Sequence, residues 1–266
     1  MAAAPQQVAD EFILETCGLS KAFHGFAAVS NVDLRVRRGH IHALIGPNGA
    51  GKTTFFNLLT KFLMPDRGRI LYRGRDITFE KPAEVARRGI VRSFQVSAVF
   101  PNLTVLENVR IGLQRAAANS SFHFWRRAAT LRVLDGRARE LLAQMQLAAF
   151  ADLRAAELPY GRKRALEIAT TLSVAPELLL LDEPTQGMAH EDVERVTALI
   201  RQAAADRTVL MVEHNMQVVA RIADTITVLQ RGQVIASGSY AEVSGNPLVL
   251  EAYLGSADAA LAGALA

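Results

Sequence analysis

The chain has 266 residues, half of them hydrophobic, a formal charge of +4 and a single cysteine. That length allows one large α/β domain or two small ones, and the apolar content excludes a disordered chain. One cysteine excludes an internal disulfide, no stretch reaches the ~20 apolar residues of a spanning helix, and residues 1–10 lack the layout of a secretory signal, so the chain is expected to be soluble and to reach a membrane only through a partner.

Residues 12–17, 29–37 and 41–45 read as strands, the first two with the polar alternation of a half-exposed antiparallel layer. Cys17 is expected as a small buried hydrophobe at a strand end, which fits a reducing cytosol. The third strand runs straight into Gly46-Pro47-Asn48-Gly49-Ala50-Gly51-Lys52-Thr53-Thr54, and the residues from Thr54 to Leu59 continue as a helix. In that context glycines let successive N–H groups turn toward phosphate oxygens, Lys52 adds a charge for the terminal phosphates, and the Thr53 hydroxyl is placed for Mg²⁺. The chain is therefore expected to bind a nucleoside triphosphate.

Residues 65–68 form a turn, 69–74 a short strand, and Pro82 opens a short helix. From 104 to 150 the sequence is rich in Ala, Leu and Arg at helical spacing, as in an inserted helical lobe. From 177 onward strands and helices alternate, which implies a parallel sheet covered on both faces. Leu178-Leu179-Leu180-Leu181 ends in Asp182-Glu183-Pro184, so a buried strand carries two adjacent acids to its C-terminal end, where open α/β sheets bind ligands. Neighbours on a strand point opposite ways: Asp182 is assigned to Mg²⁺ through water, Glu183 to the water that attacks the γ-phosphate. The strand 208–212 ends in Glu213-His214-Asn215 and brings His214 to the same edge, as a γ-phosphate donor that steadies Glu183. Arginine dominates the basic residues, with lysine only at Lys21, Lys52, Lys61, Lys81 and Lys163; this diffuse charge suits a solvated surface and equally a site near an anionic membrane or nucleic acid. The alanine-rich residues 257–266 are expected to fray.

The order of phosphate loop, Gln95 within Ser93-Phe94-Gln95, Leu158-Pro159-Tyr160-Gly161-Arg162, Leu181-Asp182-Glu183-Pro184 and His214 resembles the nucleotide-binding subunit of an ATP-binding cassette (ABC) transporter over nearly the whole chain. The resemblance implies an α/β fold: a P-loop NTPase (RecA-like) core with a parallel sheet, an N-terminal antiparallel β layer and an inserted α-helical subdomain. It divides one cassette domain into residues 1–95 (the β layer and first part of the core), 96–165 (helical subdomain), 166–254 (rest of the core) and a tail, 255–266. It makes Phe23 the aromatic that stacks on adenine and Gln95 the sensor of Mg²⁺ and attacking water. Residues 158–162 stand for the Leu-Ser-Gly-Gly-Gln signature, whose helix, read as starting near Arg164, points its dipole at ATP bound by an opposite subunit; the nucleotide contacts there are Tyr160, Gly161 and Arg162. Two positions depart from the family. Pro159 replaces the signature serine, with Tyr160 for a glycine, so backbone N–H groups near Gly161 carry that contact; Ala189 stands where many members have an aspartate.

The run Phe100-Pro101-Asn102-Leu103-Thr104-Val105-Leu106-Glu107-Asn108-Val109, the helical insertion and the closing Glu251-Ala252-Tyr253-Leu254-Gly255 look like importers of the branched-chain amino acid type, a group that also handles other small polar and aromatic solutes. The implied partners are a second, identical or sister cassette, two transmembrane permease subunits and, indirectly, a periplasmic solute-binding protein, with the cassette peripheral on the cytoplasmic face of the plasma (inner) membrane. Residues 96–103 are the expected docking segment for the permease, and the aromatic cluster 122–127 serves either a membrane-subunit contact or packing of the helical lobe. The alternative is a soluble cassette ATPase acting on ribosomes or nucleic acid. Such proteins usually carry two cassettes or a coiled-coil or zinc insertion, and this chain has neither, so no nucleic-acid partner is expected. A P-loop kinase would leave residues 158–162 and the pair Glu183 and His214 without a task.

Overall fold

The computed structural model describes residues 11–93, 99–117 and 134–254. In chain order the elements are β1 (Phe12–Phe23), β2 (Phe26–Arg37), β3 (Ile41–Ile45), α1 (Lys52–Leu59), β4 (Arg67–Tyr72), β5 (Arg75–Asp76), α2 (Pro82–Arg87) and β6 (Ile90–Ser93). There follow α3 (Val105–Ala117), α4 (Asp135–Gln144), α5 (Tyr160–Leu172), β7 (Leu178–Asp182) and α6 (His190–Ala203). The chain continues with β8 (Thr208–Val212), α7 (Met216–Ile222), β9 (Thr225–Gln230), β10 (Gln233–Gly238), α8 (Tyr240–Ser244) and α9 (Pro247–Leu254). The described residues pack as two units, those within 1–92, 177–183 and 204–254 in one and those within 93–176 and 184–203 in the other.

The first unit carries two sheets. One is antiparallel, in the order β2-β1-β4-β5. Strand β1 runs past Cys17 to Phe23, because His24 (φ 47°) and Gly25 (φ 85°) turn the chain tightly into Phe26. Two consecutive left-handed residues match the right-handed twist of a hairpin, and His-Gly is a weak sequence signal for such a turn. Cys17 is exposed, against expectation. Thr16 takes the inward position instead: its hydroxyl donates to Val32 O and accepts from Leu34 N–H, both at 2.9 Å, so it is buried without an unmet group.

The other sheet has the order β10-β9-β3-β8-β7-β6, with β9, β3, β8 and β7 parallel and β10 antiparallel at one edge. Every residue of β3, β7 and β8 is buried, as expected of strands covered on both faces. Helix α1 buries Phe55, Phe56, Leu58 and Leu59 in the same core as Leu44, Leu178, Leu180 and Leu210.

His42 sits inside this core on β3, its Nε2 2.9 Å from Thr227 Oγ1. Burial, aided by the charge of His40, pushes its pKa down from 6.5 to about 4. A group that binds a proton less readily folded than unfolded contributes nothing above the unfolded value and destabilises as pH falls through the window from 6.5 to about 4. We expect a loss of about 2–3 kcal/mol between pH 7 and pH 4.5 from this residue. Urea unfolding of wild type and His42→Gln at the two pH values checks it; the variant should lack that part of the decline.

The second unit is helical. Helix α3 packs on α4 and α5, and α5 on α6. A Cβ on Gly112 of α3 would lie 1.7 Å from Ser173 Oγ, so only glycine lets α3 approach the end of α5 this closely. Thr104 and Glu107 form a reciprocal cap at the start of α3: Thr104 N–H donates to Glu107 Oε2 at 2.8 Å and Glu107 N–H to Thr104 Oγ1 at 3.2 Å. The Thr104 N–H, and after it the Thr104 hydroxyl donating to Oε2 at 3.0 Å, hold the Glu107 carboxyl below the usual range. Buried Asn108 accepts from Phe100 N–H and donates to the carbonyls of Phe100 and Thr104, fixing the approach to the helix. Helix α5 is one unbroken rod, so the unit extends to Pro176. Among the described residues no helix is long and apolar enough to cross a membrane.

Candidate functional site

Parallel register sets the site. Leu44 of β3 pairs with Val212 of β8, and Val212 pairs with Asp182 of β7. Three strand ends are thereby level, and the ladder continues one residue further: Glu183 N–H donates to Val212 O at 2.9 Å and Glu213 N–H to Leu44 O at 3.4 Å. With strands about 4.8 Å apart, Asp182 stands roughly 10 Å across the sheet from the start of the glycine loop. Residues 46, 182, 183, 213 and 214 therefore share one edge.

Backbone geometry makes the loop a cradle. Gly46 (φ 151°) and Gly51 (φ 100°) adopt conformations that L side chains rarely take, and a Cβ at either would lie 2.1 Å from Leu229 O or 2.2 Å from Ala28 O. Ala50 N–H donates to Pro47 O at 3.1 Å and closes the turn, while Asn48 and Gly49 are exposed at its rim. Gly51 is the N-cap of α1 and offers no capping side chain, so the first N–H groups of that helix, from Lys52, Thr53 and Thr54, look into the cradle. Lys52 is buried, its ammonium donating to Gly46 O at 2.6 Å and Pro47 O at 3.1 Å. The Thr53 side chain lies on the exposed side of α1.

Ala28, whose carbonyl abuts Gly51, belongs to the hairpin that ends in Phe23 and Phe26. These two phenylalanines pair across the strands and stay 39% and 65% exposed, with Lys21 Nζ 5.8 Å from the Phe23 ring centre. A solvent-facing aromatic pair two residues from the cradle wall suits the flat face of a base. Phe26 was not anticipated from sequence.

Asp182 is buried and ion-paired with Arg92 Nη2, while Arg92 Nη1 donates to Asn57 Oδ1 of α1 at 2.7 Å. The Thr53 hydroxyl and Asp182 carboxylate are hard oxygen donors of the kind Mg²⁺ takes in small number beside phosphates and water, and Asp182 already receives a cationic group. The residues thus fit a magnesium nucleotide. Glu183 has φ 44°, a left-handed backbone that costs about 1–3 kcal/mol outside glycine, and strain of this kind gathers at functional sites.

His214 reaches the same edge, but its ring lies beside Glu213, Nδ1 3.9 Å from Oε2; among the described residues no hydrogen bond joins it to Glu183. Glu213, fully buried, accepts from the N–H groups of His214 and Asn215 at 2.9 and 3.0 Å and so sets where His214 stands. Asn215 then caps α7 through Gln217 and Val218 N–H. Gln95 lies outside the described residues, as do 96–98 of the expected docking segment, the cluster 122–127 and the tail 257–266.

In the helical unit, α5 begins at Tyr160, four residues ahead of the expected Arg164, because Pro159 at the N-cap is extended (φ −58°, ψ 157°) while its carbonyl already accepts the first intrahelical bond. The first intrahelical bond runs from Lys163 N–H to Pro159 O, and Pro159 brings no capping side chain, so the N–H groups of Tyr160, Gly161 and Arg162 face out of the helix end. Tyr160 is 60% exposed and donates its hydroxyl to Gln186 O at 3.2 Å. A Cβ on Gly161 would lie 2.4 Å from the Asp192 carboxylate of α6, so a side chain there would have to displace that carboxylate. The Arg162 guanidinium is engaged within the unit, 2.6 Å from Gln146 O and 4.7 Å from the Phe150 ring centre, so it contributes backbone rather than side chain to the helix tip. Ala189 lies just before α6, its carbonyl accepting from Val193 N–H.

Comparison with known proteins agrees with this geometry. The profile described as ABC transporter matches residues 29–186, and that of the branched-chain amino acid ATP-binding cassette transporter matches residues 233–259. The high-affinity branched-chain amino acid transport ATP-binding protein BraF of Pseudomonas aeruginosa is 37% identical over 251 residues, 92% of this chain and 98% of that protein. The corresponding protein LivG of Escherichia coli is 37% identical over 252 residues with the same coverage. A crystal structure of an ABC transporter ATP-binding cassette in its ADP conformation superposes with a TM-score of 0.80 at 32% identity, covering 92% of this chain and 99% of that one. A nucleotide-free cassette gives 0.79 at 31%, covering 91% and 98%. With its phosphate cradle and paired acids at one sheet edge, and matches over nearly its whole length, the chain belongs to the ABC transporter family, among the ATP-binding proteins of the branched-chain amino acid group.

Proposed function

We propose that this protein binds ATP with Mg²⁺ and hydrolyses it to energise uptake of branched-chain amino acids, or of a related small solute, through separate membrane subunits. The register of Leu44, Val212 and Asp182 carries the reading, because it delivers a phosphate cradle and two acids to one edge of a rigid sheet. The cradle's N–H groups and Lys52 bind the phosphates, Thr53 and Asp182 hold the metal, and Phe23 stacks on the base. When bound, Mg²⁺ supplies charge neutralisation at the β- and γ-phosphate oxygens. Glu183 orients and polarises the attacking water, and His214 donates to the γ-phosphate, with Gln95 as the third polar contact.

The exposed N–H groups at the start of α5, above all that of Gly161, support a second role: they cap the nucleotide held by another copy or a sister cassette. Function then requires a dimer, peripheral on the cytoplasmic face of the inner membrane, docked on two permeases and served indirectly by a periplasmic solute-binding protein. The names of the 37% identical relatives support the solute class. Two assays test the reading. Purified protein should release phosphate from ATP only with Mg²⁺, and a strain lacking the gene should lose most saturable uptake of radiolabelled leucine, isoleucine and valine. Unchanged uptake of all three with intact ATPase activity would remove the solute assignment.

A further inference from the structure

Arg92 has no part in the nucleotide chemistry described so far, although it touches Asp182, a deeply buried acid of the site. We propose that Arg92 is a resident counter-cation for Asp182, and that it must release this carboxylate before Asp182 can serve a metal-bound nucleotide. The proposal rests on the assignment of Asp182 to Mg²⁺.

Burial comes first. The side chains of Asp182 and Arg92 are 2% and 9% exposed. A carboxylate so far from water is strongly destabilising unless a positive group answers it, and the guanidinium does. Geometry comes second. Arg92 is held from three sides: by Asp182 at the end of β7, by Asn57 Oδ1 at 2.7 Å on the helix that follows the cradle, and by the Phe56 ring, whose centre is 5.7 Å from the guanidinium carbon. Its Nε, also buried, has no hydrogen-bond partner among the described residues. The guanidinium is thus bound toward Asp182 and Asn57 and unanswered behind, which suits a group that can be displaced.

Charge comes third. Arg92 and a divalent cation make competing claims on one carboxylate, and at a buried site their mutual repulsion is poorly screened. The ion pair therefore stabilises the unloaded protein and raises the metal concentration needed for loading. Arg92 also spans the nucleotide helix and the strand that ends in the paired acids, and it precedes Gln95 by three residues in sequence.

Calorimetric titration of the full-length protein with ADP at stepped MgCl₂ tests this without turnover. Arg92→Met should lower the half-saturating MgCl₂ roughly tenfold, because the carboxylate no longer has to be vacated. Its melting temperature should fall in EDTA by more than it falls with ADP and MgCl₂. Arg92→Lys, which keeps the charge but cannot bridge Asp182 and Asn57 together, and Asn57→Ala should each shift half-saturation roughly two- to fivefold in the same direction, and they carry the test should Arg92→Met not fold. Unchanged or increased half-saturating MgCl₂ in the folded variants, or equal destabilisation with and without ligand, overturns the proposal. Asp182→Asn separates the metal assignment from the counter-cation role. If it binds ADP with wild-type dependence on MgCl₂, the metal assignment fails and the counter-cation role with it. If it needs more MgCl₂ while the Arg92 variants behave as wild type, only the counter-cation role fails.

Discussion

Replacing Glu183 by Gln should lower ATP turnover about 10³-fold while leaving nucleotide affinity within about threefold. The amide keeps the size of the side chain and removes the charge that draws a proton from water. Glu183 is suited to the task by its backbone as much as by its carboxylate. Its N–H stays in the ladder with Val212, and at φ 44° the chain then leaves the strand direction, so the acid is presented at the sheet edge beside Asp182 and not buried with it. Asp182 is buried and Glu183 half-buried, and the two neighbours thus divide the work. The variant should be as stable as wild type, since among the described residues the Glu183 carboxylate makes no hydrogen bond that the amide would lose. Steady-state phosphate release and ADP affinity, measured on the same preparation, check both halves; turnover within tenfold of wild type would take the water-activating role away from Glu183.

Gly51→Ala should abolish nucleotide binding and destabilise the protein by about 3 kcal/mol, a fall in melting temperature of roughly 6–12 °C. Two effects combine. A left-handed φ of 100° is strained for alanine, and the new methyl carbon would stand 2.2 Å from Ala28 O, a backbone atom that cannot turn aside as a side chain can. Relief requires moving the hairpin strand away from the cradle, and with it the Phe23 and Phe26 pair, or rotating the first turn of α1 so that its N–H groups no longer converge. Gly49→Ala is the control: its Cβ would meet nothing within 4 Å, so only the φ strain of a residue at 78° remains. Differential scanning fluorimetry and ADP titration of both variants test the difference, and equal losses at 49 and 51 would contradict it.

Much of this site is readable in sequence because its parts are local. The run from Ile41 to Thr54 specifies a buried strand, a glycine turn and a helix start within fourteen consecutive positions, and Leu178 to Glu183 specifies a strand with acids at its end. What escaped the reading depends on distant partners. Nothing near Arg92 announces Asp182, which lies 90 residues away, and Glu213 shows its function only when the backbone folds back over its carboxylate. Cys17 and Thr16 are adjacent on β1, and which of them faces inward follows from a hydroxyl partner on the opposing strand. The hairpin at His24 and Gly25 lacks the usual Asn-Gly or Asp-Gly pair, so the last six residues of β1 carry no turn signal that would extend the strand past Cys17. The cap of Thr104 and Glu107, by contrast, is a sequence pattern in plain view, four positions long, and it marks the start of α3. Arg162 lies in a recognisable motif and yet turns its side chain to Gln146 and Phe150, a choice made by the packing around α5.

As proposed above, a nucleotide in one chain's cradle becomes hydrolysable when the α5 tip of a second chain, at Tyr160 and Gly161, covers it. Light scattering of the Glu183→Gln protein with ATP and Mg²⁺ tests that directly. The expected result is twice the monomer mass with ATP and the monomer mass with ADP. A protein that binds ATP tightly, stays monomeric, and in its wild-type form turns over at a rate per chain independent of concentration would contradict it.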